Sequence, residues 1–153
     1  MHLAFPPEPR LLGMVRLVVG VVARQAGVDD EGVEDLKVAV SETCAVAVNE
    51  TARAGLAALI ELDLVQDRGR FGVEVRDHAP EPNSRRAPPS DEALELEALE
   101  LDDRQFGLAL VGALVADLKS EPLEGGGHRT SFWLYRRATD DALGDADSDG
   151  PGS

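Results

Sequence analysis

Apolar residues recur along the first half of the chain at the spacing of helix faces. Leu11, Leu12, Val15, Val18, Val19 and Val22 fall on one such face, and Gly27 closes the segment. A second helix is predicted after Asp29 or Asp30, either of which can cap it, with Glu31, Glu34 and Asp35 near its positive end. Val33, Leu36, Val40, Cys44 and Ala47 form its buried stripe. The period then shortens to two. In Leu59–Val65, Ile60, Leu62 and Leu64 share one side and Glu61 and Asp63 the other, and Phe71–Asp77 alternates again. Asp67-Arg68-Gly69-Arg70 joins these two strands as a hairpin turn.

The remaining segments read more coarsely. Leu3 and Phe5 make a short apolar start that breaks at Pro6, Pro7 and Pro9. Residues 79–89 hold four of the nine prolines and are predicted to be an irregular loop, followed by a short acidic, Leu-rich helix over Asp91–Asp103. Phe106–Leu118 reads as a helix with Gly107, Leu110, Val111, Leu114, Val115 and Leu118 on one face. Gly125-Gly126-Gly127 breaks the chain, and Thr130–Arg136 reads as a last strand. The predicted order is βααββ, a long loop, then αβ. That order fits an α+β fold, a two-layer α/β sandwich with helices on one face of a mainly antiparallel sheet.

Composition narrows the picture. The 153 residues, 43% of them hydrophobic, suffice for one domain with one core. Residues 138–153, ATDDALGDADSDGPGS, are too poor in large apolar side chains to offset their ordering entropy. A domain over residues 1–137 and a disordered acidic tail over 138–153 are therefore expected. The 29 acidic residues against 15 basic ones give a net charge of −14, which argues against phosphate-backbone binding to nucleic acid and against docking on an anionic membrane. A lone cysteine, Cys44, allows no internal disulfide, and no signal peptide or spanning segment is legible, so the expected location is the cytoplasm.

Two side chains stand out for chemistry. Glu42, Val46, Asn49 and Arg53 share a helix face distinct from the apolar stripe, so Glu42 could act as a general base or organise a cation. The alternative there is an ordinary solvated face. Asp77 ends its strand on the core-facing parity, where a carboxylate needs a partner, and could accept a ligand amine. The alternative is a turn cap. Gly107, at the start of an apolar helix, would let a phosphate approach the backbone N–H groups.

The order of these features, and their local wording, resemble the GHKL (histidine-kinase-type) ATPase fold, and within it the anti-sigma-factor serine kinases of the RsbW and SpoIIAB type. Residues 33–44, VEDLKVAVSETC, are similar to that family's helix leading into the N box, and Val73–Asp77 to the strand opening its adenine pocket. Phe106–Val111 resembles the second glycine box, and Gly127–Phe132 the closing strand. The resemblance implies Glu42 as the general base that activates a partner serine, and Asp77 as acceptor of the adenine amine. It also implies Gly107 and Leu108 facing the phosphates and Thr130 beside the adenine. Val46 stands where the family's metal-binding asparagine belongs, with Asn49 a weak substitute; Ala79 and Arg104-Gln105 stand where it has glycines. Arg104 could reach a phosphate instead. The implied cofactors are ATP and Mg²⁺. The implied partners are a sigma factor and/or a STAS-type anti-anti-sigma protein, with a homodimer formed through the sheet, where Trp133 and Tyr135 share a parity. The implied function is anti-sigma regulation of transcription, with serine kinase activity weakened by the degenerate boxes. The alternative is a nucleotide-free pseudo-kinase acting purely as a protein-interaction module.

Overall fold

In the computed structural model, the described residues are 1–79 and 105–136. Strand β1 (His2–Phe5) leads through a single 3-10 turn at Pro9–Leu11 into helix α1 (Leu12–Gln25). Pro9 suits the first position of that turn because its fixed φ matches and its missing N–H is not needed there. Gly27, at φ 81°, reverses the chain, and helix α2 (Asp30–Arg53) comes next. Of the two candidate caps, Asp29 takes the position: its Oδ1 accepts a hydrogen bond of 2.8 Å from the Gly32 N–H. Asp29→Ala is expected to lower the unfolding free energy by about 1 kcal/mol, seen as a lower denaturant midpoint at unchanged slope.

Strands β2 (Ile60–Asp67) and β3 (Arg70–Arg76) form the predicted hairpin, with Gly69 at φ 82° in the turn. Residues 105–114 are helical, here α3, and are followed by β4 (Ala116–Pro122) and β5 (His128–Tyr135). The sheet order is β1-β2-β3-β5-β4, and every neighbouring pair is antiparallel. The α+β, two-layer expectation holds. Ile60, Leu62, Leu64, Phe71, Val73, Val75 and Phe132 point to one side and are buried with Val15, Val19, Val33, Leu36, Val40 and Cys44 of the two helices.

One element departs from its sequence pattern. The spacing of Leu114, Val115 and Leu118 extends a helix to 118, yet the helix stops at 114 and β4 begins at Ala116. Asp117 takes φ 54°, which no helix accommodates, and the pairing with β5 is irregular between Ala116 and Lys119. An edge strand with no fully buried side chain carries no alternation to read.

The other side of the sheet is polar at one end and aromatic at the other. Arg76 forms ion pairs with Asp63, with Glu61 at 3.5 Å and with Glu74 at 3.4 Å. Trp133 lies over Gly72, where an added Cβ would sit 2.5 Å from the ring, and the Arg70 guanidinium is 3.9 Å from the ring centroid. This pair therefore packs within its own sheet. Among the described residues no helix is long and apolar enough to cross a membrane. The predicted loop and short helix over residues 79–103 fall almost wholly outside the described residues, as does the acidic tail.

Candidate functional site

The strand order creates the site. β3 and β5 lie side by side although more than fifty residues separate their sequences, so the end of one meets the start of the other. There Asp77, just past β3, is 6% exposed. Its Oδ1 accepts hydrogen bonds from the backbone N–H of Ala79 at 3.1 Å and of His128 at 3.2 Å. Its own N–H donates to the His128 carbonyl at 3.0 Å. Gly127, at φ 93°, makes this approach feasible, since a Cβ on it would stand 2.1 Å from the Asp77 carbonyl oxygen. Burial pushes the Asp77 carboxyl above the usual carboxylate range, opposed by the Ala79 N–H and by His128, whose Nδ1 is 3.9 Å away.

Asp77 borders a cavity of about 10 Å³, room for roughly one water molecule. Thr43, Val46 and Ala47 of α2 form one wall and Leu108 of α3 another. Val75, Ser120, His128 and Thr130 of the sheet complete it. The Thr130 and Ser120 hydroxyls are 3.1 Å apart, while the Thr43 hydroxyl is taken up by the Ala39 carbonyl at 2.8 Å. The wall is mixed, with the carboxylate of Asp77 and the hydroxyls of Ser120 and Thr130 beside the apolar side chains of Val46, Ala47, Val75 and Leu108, a combination that can both pack on a ring and accept a hydrogen bond from its amine.

Of the residues singled out from sequence, Asp77, Leu108 and Thr130 line this one cavity. Glu42 and Gly107 meet each other where α2 crosses α3: a Cβ at 107 would be 3.1 Å from Glu42 Oε2. Arg104 lies outside the described residues. Val46 presents an apolar side chain to the cavity, and Asn49 is exposed and takes no part in the wall. Among the described residues no group of three or more His, Cys, Asp or Glu could hold a metal ion. Val46 offers no oxygen to Mg²⁺, which needs oxygen ligands, so that wall position cannot hold the ion. Cys44 is fully buried and burial pushes its thiol up to about 12, so it is inert. Sequence reasoning missed Thr43, Ser120 and His128 as wall residues. Thr43 is next to the singled-out Glu42, but Ser120 sits on the unread strand, and His128 becomes visible only with the β3–β5 pairing.

The sequence profile of the histidine kinase-like ATPase domain matches residues 5–132. The chain belongs to that family, on its RsbW-type branch. It is 31% identical over 125 residues to the serine-protein kinase RsbW of Oceanobacillus iheyensis, covering 74% of this chain and 73% of that protein. It is 45% identical over 47 residues to the serine-protein kinase RsbW of Bacillus velezensis, where the match covers only 31% of this chain and 29% of the relative's length. A solved structure, the SiaB–SiaC complex from Pseudomonas aeruginosa, superposes with a TM-score of 0.62 at 12% identity, covering 86% of this chain and 88% of that one. That likeness concerns the fold alone. In this histidine kinase-like ATPase domain, α2 carries the helical side of the cavity and β3 and β5 its carboxylate end.

Proposed function

We propose that this RsbW-type domain binds an adenine nucleotide between α2, α3 and the β3–β5 end, and that the bound nucleotide governs its hold on a sigma factor or a STAS-type anti-anti-sigma protein. The observation that carries the reading is the seat of Asp77: a buried carboxylate, fixed by two backbone N–H groups, in the wall of a cavity that also presents Val46, Val75 and Leu108. In this role Asp77 would accept the exocyclic amine of the base. Thr130 and Ser120 would offer hydroxyls beside it, and Leu108 and Val75 would pack on the ring. Gly107 at the start of α3 would admit phosphate oxygens near backbone N–H groups, and Arg104 would reach them. ATP, where bound, supplies the transferable phosphoryl group; Glu42 would then take the proton of a serine hydroxyl on the anti-anti-sigma partner.

Two features favour a second reading, a nucleotide-free interaction module. The cavity holds about 10 Å³, far below the ~300 Å³ or more usual for ligand pockets, so a base enters only if its walls part. Val46 also removes an oxygen ligand from the place where the family holds its metal.

Calorimetric titration of ATP and ADP, each with Mg²⁺ and with EDTA, separates the readings. Micromolar binding that is little changed by EDTA is the expected result; no heat up to millimolar nucleotide would overturn it in favour of the second reading. Val46→Asn is expected to make ATP binding metal-dependent, tightening it about ten-fold with Mg²⁺, or ~1.4 kcal/mol. An affinity that ignores Mg²⁺ in that variant would place the defect elsewhere in the pocket.

A further inference from the structure

The cavity beside Asp77 has room for about one water molecule, so a base reaches the carboxylate only after one of its walls moves. Two walls are held from several sides. Val75 and Thr130 belong to β3 and β5, which are inner strands of the sheet, each paired on both edges. Thr43 and Ala47 belong to α2, and they are buried there beside Val40, Cys44 and Val48 of the same helix. The third wall, α3, is seated unevenly. At its C-terminal end Val111 is fully buried, and Val115 and Leu118 just beyond it pack on the core. At the other end Gln105, Phe106, Ala109 and Leu110 are exposed, Phe106 to 74%. Gly107 has no side chain to bury, and what it faces is the Glu42 carboxylate. Leu108 is the half-buried apolar side chain of this half, and it lines the cavity itself. A segment with so few buried apolar contacts opens at low cost.

A pivot stands at the seated end. The helix stops at 114, the chain bends at Val115, and Asp117 takes φ 54°. Aspartate tolerates that left-handed conformation better than most residues, and a position at the end of an element can absorb a change in backbone angle. The pairing of β4 with β5 is irregular between Ala116 and Lys119 and regular from Lys119 to Pro122. Asp117 Oδ2 accepts a hydrogen bond of 3.2 Å from the Tyr135 hydroxyl, which ties the pivot to β5. A tilt of α3 taken up at 115–117 therefore leaves Ser120 and Thr130 in place.

We propose that the N-terminal half of α3 is the moving wall of the cavity: it tilts away from α2 on its Val111–Val115 seat, with Asp117 taking up the change of angle, and comes to rest with Leu108 on the ring. This inference rests on the nucleotide reading above and adds to it the element that admits the base. A flat ring held between two surfaces parts them by about one van der Waals layer, ~3.5 Å. Gly107 travels with Leu108, so entry of the base also parts Gly107 from Glu42.

The test uses the full chain with nitroxide labels on Phe106→Cys and Asn49→Cys, two exposed positions on α3 and α2; Cys44 is buried and stays unlabelled. Pulsed electron resonance reads the distance between them. Saturating ADP is expected to lengthen it by about 3 Å or more, while a control pair, Asn49→Cys with Arg68→Cys in the β2–β3 turn, stays unchanged. In the unlabelled free chain, amides of residues 106–110 are expected to exchange hydrogen about ten-fold faster than those of 43–48, and ADP to slow them. Calorimetry on the labelled chain reports whether ADP is bound. Bound ADP with both distances unchanged would overturn this inference and leave the nucleotide reading standing. Lengthening of both pairs would overturn it as well, since the chain would then be loosening as a whole. If no ADP binds, the nucleotide reading fails, and exchange in the free chain decides: residues 106–110 as slow as 43–48 would overturn the moving wall, and a fast 106–110 beside a slow 111–114 would uphold it.

Discussion

Asp77→Asn is expected to raise thermal stability at neutral pH while weakening adenine-nucleotide binding ten-fold or more, about 1.4 kcal/mol. Both effects arise from one seat. Asparagine keeps an Oδ1 for the Ala79 and His128 N–H groups but removes a charge that burial disfavours. Because the folded carboxyl holds its proton above the reference value of 3.8, the folded state binds that proton more tightly than the unfolded chain. The stability this contributes is complete at low pH and is lost as pH rises through the raised value. The variant has no such loss, so its advantage should be nil in strong acid and reach about 1 kcal/mol at neutral pH, a Tm gain of a few degrees. Paired melting curves from acid to neutral pH check the first effect, and calorimetric titration the second. A Tm difference that shrinks as pH rises would contradict the account, since it would mean the charge is stabilised where it sits. A base bound through its amine should suffer most, because the amide offers one acceptor oxygen in place of two.

Gly127→Ala is expected to be strongly destabilising. The position combines φ 93° with a Cβ that would lie 2.1 Å from the Asp77 carbonyl oxygen and 2.8 Å from the Asp77 carbonyl carbon and from His78 Cα. Each of these three contacts is with backbone, so nothing flexible can give way. The loss should be about 3 kcal/mol or more, lowering Tm by roughly 10 °C, and should remove nucleotide binding with it. Gly125→Ala is the control. That residue has φ 91° but nothing within 4 Å of an added Cβ, so it meets only the conformational cost of about 1 kcal/mol. Equal destabilisation of the two variants, read from denaturant unfolding, would show that crowding at Asp77 is not the cause.

These two residues also mark what the sequence makes legible. Asp77 stands out because a strict alternation, Phe71, Val73, Val75, runs into a carboxylate on the buried side, a local signal that needs no partner. The helices are legible for the same reason: Val33, Leu36, Val40, Cys44 and Ala47 share a stripe, and all are buried. β4 is not legible, because Ala116–Pro122 is an edge strand whose backbone bonds come from β5 and whose side chains owe little to the core. The spacing of Leu114, Val115 and Leu118 gives a false helical period, and sheet pairing prevails over it. The wall residues Ser120 and His128 depend on the same non-local pairings, so no window of sequence contains them. Glu42 and Gly107 likewise meet only once α2 and α3 are placed together.

The packing of Trp133 on Gly72 has a spectroscopic consequence. The chain contains one tryptophan, so emission excited at the red edge of its absorption, where Tyr135 does not absorb, has a single origin, the pairing of β3 with β5. That same β5 strand carries Thr130, and its partner strand leads directly to Asp77. The colour and intensity of that light therefore track the cavity's sheet wall, and α1 and α2 can rearrange without being mistaken for it.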